Sequence, residues 1–176
     1  MSKQLQKIYF DPYLFSSLFL LSTLGLFFFF FSSNADLDIV LKQFFYIFVV
    51  FIIMTLVSQP DPDIFRRTSG LFLIFSLLLL GITYLFGPEI NGAQRWVRVG
   101  SFSFQSSELL KLAVPIFLAN FLFNKKLPIQ RKEIFISLLI ILSCFFVVFR
   151  QPDLGTAIII ACSGLFVLFL SGLSWG

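Results

Sequence analysis

The sequence predicts an all-α, polytopic membrane protein, and three observations carry that prediction. Of its 176 residues, 58% are apolar and only 12% charged, about half the ~25% of an ordinary soluble domain. Phenylalanine alone supplies 27 residues, and a soluble chain this short has too high a surface-to-volume ratio to hide them from water. The apolar residues also gather in six runs, most of them near the ~20 residues that a helix needs to cross the hydrocarbon core. A soluble enzyme, a disordered tail and a nucleic-acid module all fit poorly. The net charge of +4 is spread over short clusters, which read as topology signals rather than as a nucleic-acid patch. Length and pattern together predict a single membrane domain over residues 1–176.

The spans run roughly Tyr13–Phe31, Val40–Ser58, Ser69–Phe86, Leu109–Phe123, Ile134–Phe149 and Leu154–Leu173. The first follows Lys3 and Lys7 and precedes Ser33-Asn34-Ala35, a loose match to a leader cleavage site. Its apolar stretch exceeds the ~7–15 residues of a signal core, so it reads as a retained span. The first and sixth are the most secure by length; the fourth is short and carries Pro115. Between the second and third, the prolines of Gln59-Pro60-Asp61-Pro62-Asp63 forbid a continuous helix.

Lysine and arginine set the orientation. A cytoplasmic N-terminus puts Lys3, Lys7, Arg66, Arg67, Lys125, Lys126, Arg131 and Lys132 inside, against Lys42, Arg95, Arg98, Lys111 and Arg150 outside. The basic loop Asn124–Glu133 carries most of that signal. The longest loop, about 87–107, then lies outside and holds Trp96 and two arginines. Loops of that length either work or are disordered, and the aromatic content argues against disorder.

Histidine is absent, which removes His-based triads, His metal sites and a histidine proton shuttle. Cys144 and Cys162 lie inside apolar runs and read as small packed hydrophobes, too few for a zinc site. Three segments remain that could carry chemistry. In Phe104-Gln105-Ser106-Ser107-Glu108-Leu109-Leu110-Lys111, Ser106 or Ser107 can cap the fourth span, and Glu108 suits its positive end. Lys111, three residues on, shares a helical face with Glu108 and can pair with it. A structural ion pair and a pair lining a substrate cavity are both open readings. Arg95 and Arg98 flank Trp96, a combination suited to a lipid pyrophosphate or headgroup and equally to an interfacial anchor. In Arg150-Gln151-Pro152-Asp153-Leu154-Gly155-Thr156, the proline ends one helix and Asp153 begins the next, as a cap or as a functional carboxylate.

Three stretches together resemble the RodA/FtsW family of bacterial cell-wall polymerases (shape, elongation, division and sporulation). They are Asn91-Gly92-Ala93-Gln94-Arg95-Trp96, then Gln105 with Ser107-Glu108 and Lys111, and Gln151-Pro152-Asp153-Leu154-Gly155-Thr156. The Ala-Gln-Arg-Trp and Gln-Pro-Asp-Leu-Gly-Thr wording is closer to the RodA branch, and Ser163–Trp175 reads like the helix that follows there. Ser106 departs from the family's usual proline. The resemblance implies a peptidoglycan glycosyltransferase that polymerises lipid II during cell elongation and rod-shape maintenance, in the bacterial cytoplasmic membrane. Its implied partner is a class B penicillin-binding protein, and a divalent cation (Mg or Mn) would neutralise pyrophosphate charge although no metal site is readable. By resemblance, Glu108, Lys111 and Asp153 support the central cavity. The family has about ten spans and a catalytic aspartate in a large loop beyond the seventh, so these 176 residues are expected to be a truncated, inactive portion. The alternative reading is a lipid II flippase, because ionisable residues within the membrane mark transport paths as readily as active sites.

Overall fold

Each apolar run forms a helix, because a segment in lipid must satisfy every backbone amide and carbonyl internally. The computed structural model describes residues 11–33, 36–89, 94–100, 102–123, 125 and 129–172. In chain order the elements are α1 (Pro12–Ser32), α2 (Leu37–Val57), α3 (Pro62–Phe86), β1 (Trp96–Val99), β2 (Phe102–Gln105), α4 (Ser106–Phe123), α5 (Arg131–Phe149) and α6 (Leu154–Leu170). Helices α1 to α5 are long and apolar enough to cross a membrane. With 17 residues, α6 reaches only the lower limit of spanning length. The expected all-α, multi-pass membrane architecture is what the chain forms.

The elements differ from the sequence expectation mainly at their starts. Helix α3 begins at Pro62 rather than Ser69, since proline at the first helical position gives up only an amide that has no partner there anyway. Arg66 and Arg67 therefore sit on the helix, and only residues before Pro62 form the turn. Helix α4 begins at Ser106 and reaches 18 residues, so the loop expected over 87–107 ends sooner. Within that loop lies a hairpin that the hydropathy pattern did not predict. Lys3, Lys7, Asn91–Ala93, Lys126 and Trp175 lie outside the described residues.

The chain divides into two units, Met1–Asp61 and Pro62–Gly176. In the first, α1 and α2 bury no residue. Asp11 and Asp36 cap them, each accepting two backbone amides, from Tyr13 and Leu14 and from Asp38 and Ile39. Phe15 and Phe51 meet edge to face at 5.3 Å between ring centroids.

The second unit has a core. Ser69, Leu73, Ser76, Leu80 and Thr83 form the buried stripe of α3, at alternating spacings of four and three that keep one face inward. The hydroxyls of Ser76 and Thr83 donate to the carbonyls of Phe72 and Leu79 at 2.8 and 2.7 Å, which hides their polarity within the helix. Helix α3 packs on α4, and α6 packs on both α4 and α5. Arg66 at the start of α3 lies over the ring of Phe123 at the end of α4, 4.3 Å from its centroid. Gly70 faces Phe117, so α3 and α4 run antiparallel. Small residues bring the helices close, as is usual where lipid removes the hydrophobic incentive to associate. A Cβ added to Gly164 would come within 2.7 Å of Ile141 and 3.3 Å of Leu118.

Candidate active site

The motif residues gather where α4 and α6 begin. The segment Trp96-Val97-Arg98-Val99 pairs antiparallel with Phe102-Ser103-Phe104-Gln105, with Trp96 opposite Gln105 and Arg98 opposite Ser103. Gly100 supplies the positive φ of 63° between the strands, a conformation costly for any residue with a Cβ. Gln105 ends β2 and Ser106 begins α4 without a break. Strand, turn and helix are thus one continuous unit.

Glu108 and Lys111 pair as their spacing predicts, with 2.8 Å between Nζ and Oε1. The lysine side chain is 23% exposed and the glutamate 45%, so the cation is the more enclosed partner. Pro115 lies inside α4, and its missing N–H leaves the Lys111 carbonyl without its helical donor. Polar backbone and a charged pair thereby occupy the same turn. Ser106 and Ser107 do not act as the expected caps. Both are fully buried inside the helix, and neither hydroxyl has a hydrogen-bond partner.

Asp153 both caps and bridges. Its Oδ1 accepts from the Thr156 amide at 3.2 Å, capping α6, while its Oδ2 accepts from Gln105 Nε2 at 2.5 Å. Gln151 is buried, and its Nε2 donates to the Leu80 carbonyl on α3 at 3.4 Å. Two glutamines and one aspartate thus tie the α5–α6 turn to α3 and to the hairpin. Arg95, Trp96 and Arg98 are less committed. Arg98 is exposed, Arg95 and Trp96 are half-buried, and Arg95 Nε is buried without a partner. Among the described residues neither arginine forms an ion pair. Sequence reasoning passed over the hairpin and the partners of Gln105 and Gln151. The alternation of Val97 and Val99, then Phe102 and Phe104, about Gly100 was a readable hairpin signal.

Among the described residues no three His, Cys, Asp or Glu side chains converge as metal ligands. Glu108 is engaged by Lys111 and Asp153 by Gln105.

The sequence model described as Cell cycle protein, covering FtsW, RodA and SpoVE, matches residues 7–176. The chain belongs to this family. It is 38% identical over 144 residues to the peptidoglycan glycosyltransferase MrdB of Escherichia coli, covering 82% of this chain and 39% of that protein. To the probable peptidoglycan glycosyltransferase FtsW of Buchnera aphidicola subsp. Schizaphis graminum it is 29% identical over 133 residues, 74% of this chain and 38% of that one. The crystal structure of the Thermus thermophilus rod shape determining protein RodA superposes with a TM-score of 0.85 at 25% identity, over 96% of this chain and 56% of that one. A chain from a structure of a peptidoglycan synthase complex that coordinates polymerization and crosslinking gives the same TM-score at 26% identity, over 96% and 49%. The chain thus spans about two fifths of the curated relatives and about half of the solved chains that it matches.

Proposed function

We propose that these 176 residues form the N-terminal part of a peptidoglycan glycosyltransferase that polymerises lipid II in the bacterial cytoplasmic membrane, serving elongation and rod shape. The single observation that carries this reading is the paired set at the head of α4 and α6. Glu108 holds Lys111 at 2.8 Å, and Gln105 holds Asp153 at 2.5 Å, all within the stretches that resemble the family. In the reaction, the acceptor sugar's hydroxyl oxygen attacks the anomeric carbon of the growing chain. The bond to undecaprenyl pyrophosphate breaks, and that group leaves with the electron pair. Lys111 is the cation best placed to meet the negative charge of the leaving group, and Glu108 holds its ammonium in position. Arg95, Arg98 and Trp96 suit the lipid-linked pyrophosphate at the membrane interface.

The proton of the acceptor hydroxyl needs a base within about 3 Å in a competent complex. With histidine absent and the nearby carboxylates engaged, these residues supply support rather than the base. We therefore expect the 176-residue chain alone to make no polymer. A class B penicillin-binding protein is the proposed partner, in keeping with the synthase complex among the structural relatives. The cytoplasmic N-terminus rests on the distribution of basic residues, and a membrane-impermeant probe at Lys126 reacting from outside would reverse it.

Purified full-length protein given labelled lipid II tests the reading. Polymer should form, and Glu108→Ala or Lys111→Ala should each lower the rate at least about a hundredfold without preventing membrane insertion. Transport of lipid II with no polymer would favour the flippase. Near-normal synthesis by both variants would reduce the pair to a helix pin.

A further inference from the structure

The geometry points to a latch between Gln105 and Asp153 that fixes the hairpin and the heads of α4 and α6 as one corner, with Asp153 a positioning residue rather than a proton acceptor. Its kinetic consequence rests on the glycosyltransferase reading; its structural one does not. The two residues lie 48 apart in the chain and meet at 2.5 Å. A carboxylate has no proton to offer, so the glutamine must turn its amide nitrogen, not its oxygen, toward it. Charge assistance makes this one of the stronger kinds of hydrogen bond.

Position multiplies its effect. Gln105 stands opposite Trp96 in the hairpin register and directly precedes α4, so restraining it restrains both strands and the helix that carries Glu108 and Lys111. A two-stranded hairpin is marginal on its own and needs anchors. Its first strand passes close to Gly87, where an added Cβ would come within 3.2 Å of the Trp96 carbonyl oxygen. Its last residue is anchored at Asp153. That carboxylate already accepts the α6 cap on Oδ1 and Gln105 on Oδ2, so taking a proton on either oxygen would remove the charge assistance that strengthens both bonds.

A polarity swap in the full-length protein tests this, read by hydrogen exchange of the strand amides and by lipid II polymerisation. Gln105→Glu sets two carboxylates face to face, and like charges at that spacing repel. Hairpin exchange should quicken, and polymerisation fall, by about tenfold or more. Gln105→Ala, which removes the donor without adding charge, should shift both in the same direction by less. Adding Asp153→Asn to Gln105→Glu should restore both readouts to within about threefold of wild type, since asparagine caps helices well and its amide can donate to the introduced carboxylate. Unchanged exchange in Gln105→Glu, or no recovery in the double variant, overturns the latch. Recovered exchange with polymerisation still lost overturns the positioning role and makes the Asp153 carboxylate part of the chemistry. A wild-type protein that makes no polymer would sink the glycosyltransferase reading, while the exchange results would still decide the latch.

Discussion

Over their most apolar 18 residues α1 and α2 are as hydrophobic as α3, yet they share none of its burial. No residue of α1 or α2 is buried, whereas α3 presents a continuous inward stripe and α4 buries both serines at its head. Hydropathy reports that a helix can live in lipid; it says nothing about whether the helix has a protein neighbour. Small and hydroxylated residues at a repeating spacing do report that, because they let backbones approach. Ser69, Ser76 and Thr83 have that spacing in α3. Phe27–Phe31 in α1 has the opposite character, a run with no inward side. The open seam between α1 and α2 encloses about 310 Å³, lined mainly by apolar side chains such as Phe15, Phe19 and Phe51, with Ser22 and Thr23 among them. Glu108, Lys111 and Asp153 all lie in the other unit.

The sharpest way to break this contrast is to enlarge one glycine in each unit. Gly164→Leu in α6 would drive its side chain into Ile141 and Leu118, which already stand within 2.7 and 3.3 Å of a bare Cβ. We expect a loss of about 3 kcal/mol, the upper end for overpacking, seen as a lower unfolding midpoint of the full-length protein in detergent. At Gly25 in α1 an added Cβ meets nothing within 4 Å, so Gly25→Leu should leave the midpoint unchanged or raise it slightly, since leucine is the better helix former. Equal losses at both positions would mean that α1 has a packed face after all.

Truncation gives the next effect. Leu118 is fully buried between helices, and Phe28 is 68% exposed. Leu118→Ala should cost about 2 kcal/mol. In lipid most of that is lost contact and residual cavity rather than exposure to water, which puts it at the low end of the aqueous range. Phe28→Ala should cost under about 0.5 kcal/mol, since its ring only exchanges one apolar neighbour for another. A large loss at Phe28 would show that α1 is covered by protein.

The same contrast explains what was legible in the sequence. Span number and span type were readable because lipid demands long apolar runs. Hydropathy places helix starts too late because charges such as Arg66 and Arg67 end an apolar run without ending the helix, and α3 continues past them to Pro62. The Glu108–Lys111 pair was readable because it is local, one helical turn apart. The bond from Gln105 to Asp153 was not, because 48 residues separate its ends and no local rule links them. Serine favours the cap position, so Ser106 or Ser107 reads as the cap of α4. The chain instead makes Ser106 the first helical residue and buries both side chains.

The smallest expected effect concerns how the coreless unit is held. With nothing buried in α1 or α2, their most distinct polar restraints are the aspartates at their heads. Asp36 accepts from the Asp38 amide at 3.0 Å and from the Ile39 amide at 3.4 Å through one oxygen, satisfying two of the donors that a helix start leaves open. Asp36→Ala removes both acceptors and should cost about 1 kcal/mol. Asp36→Asn keeps an acceptor oxygen at the same place and should cost only a few tenths of that. The damage should also stay local. Amides in the first turn of α2 should exchange several times faster, while those near Phe51 should not change, because no core couples the two ends of the helix. At the other unit a cap does more, since Asp153 also holds Gln105, so its loss should spread into the hairpin. If Asp36→Ala instead loosened α2 along its whole length, the caps would be the principal restraint on this unit. If it changed nothing, the surrounding lipid alone would be enough to hold the pair.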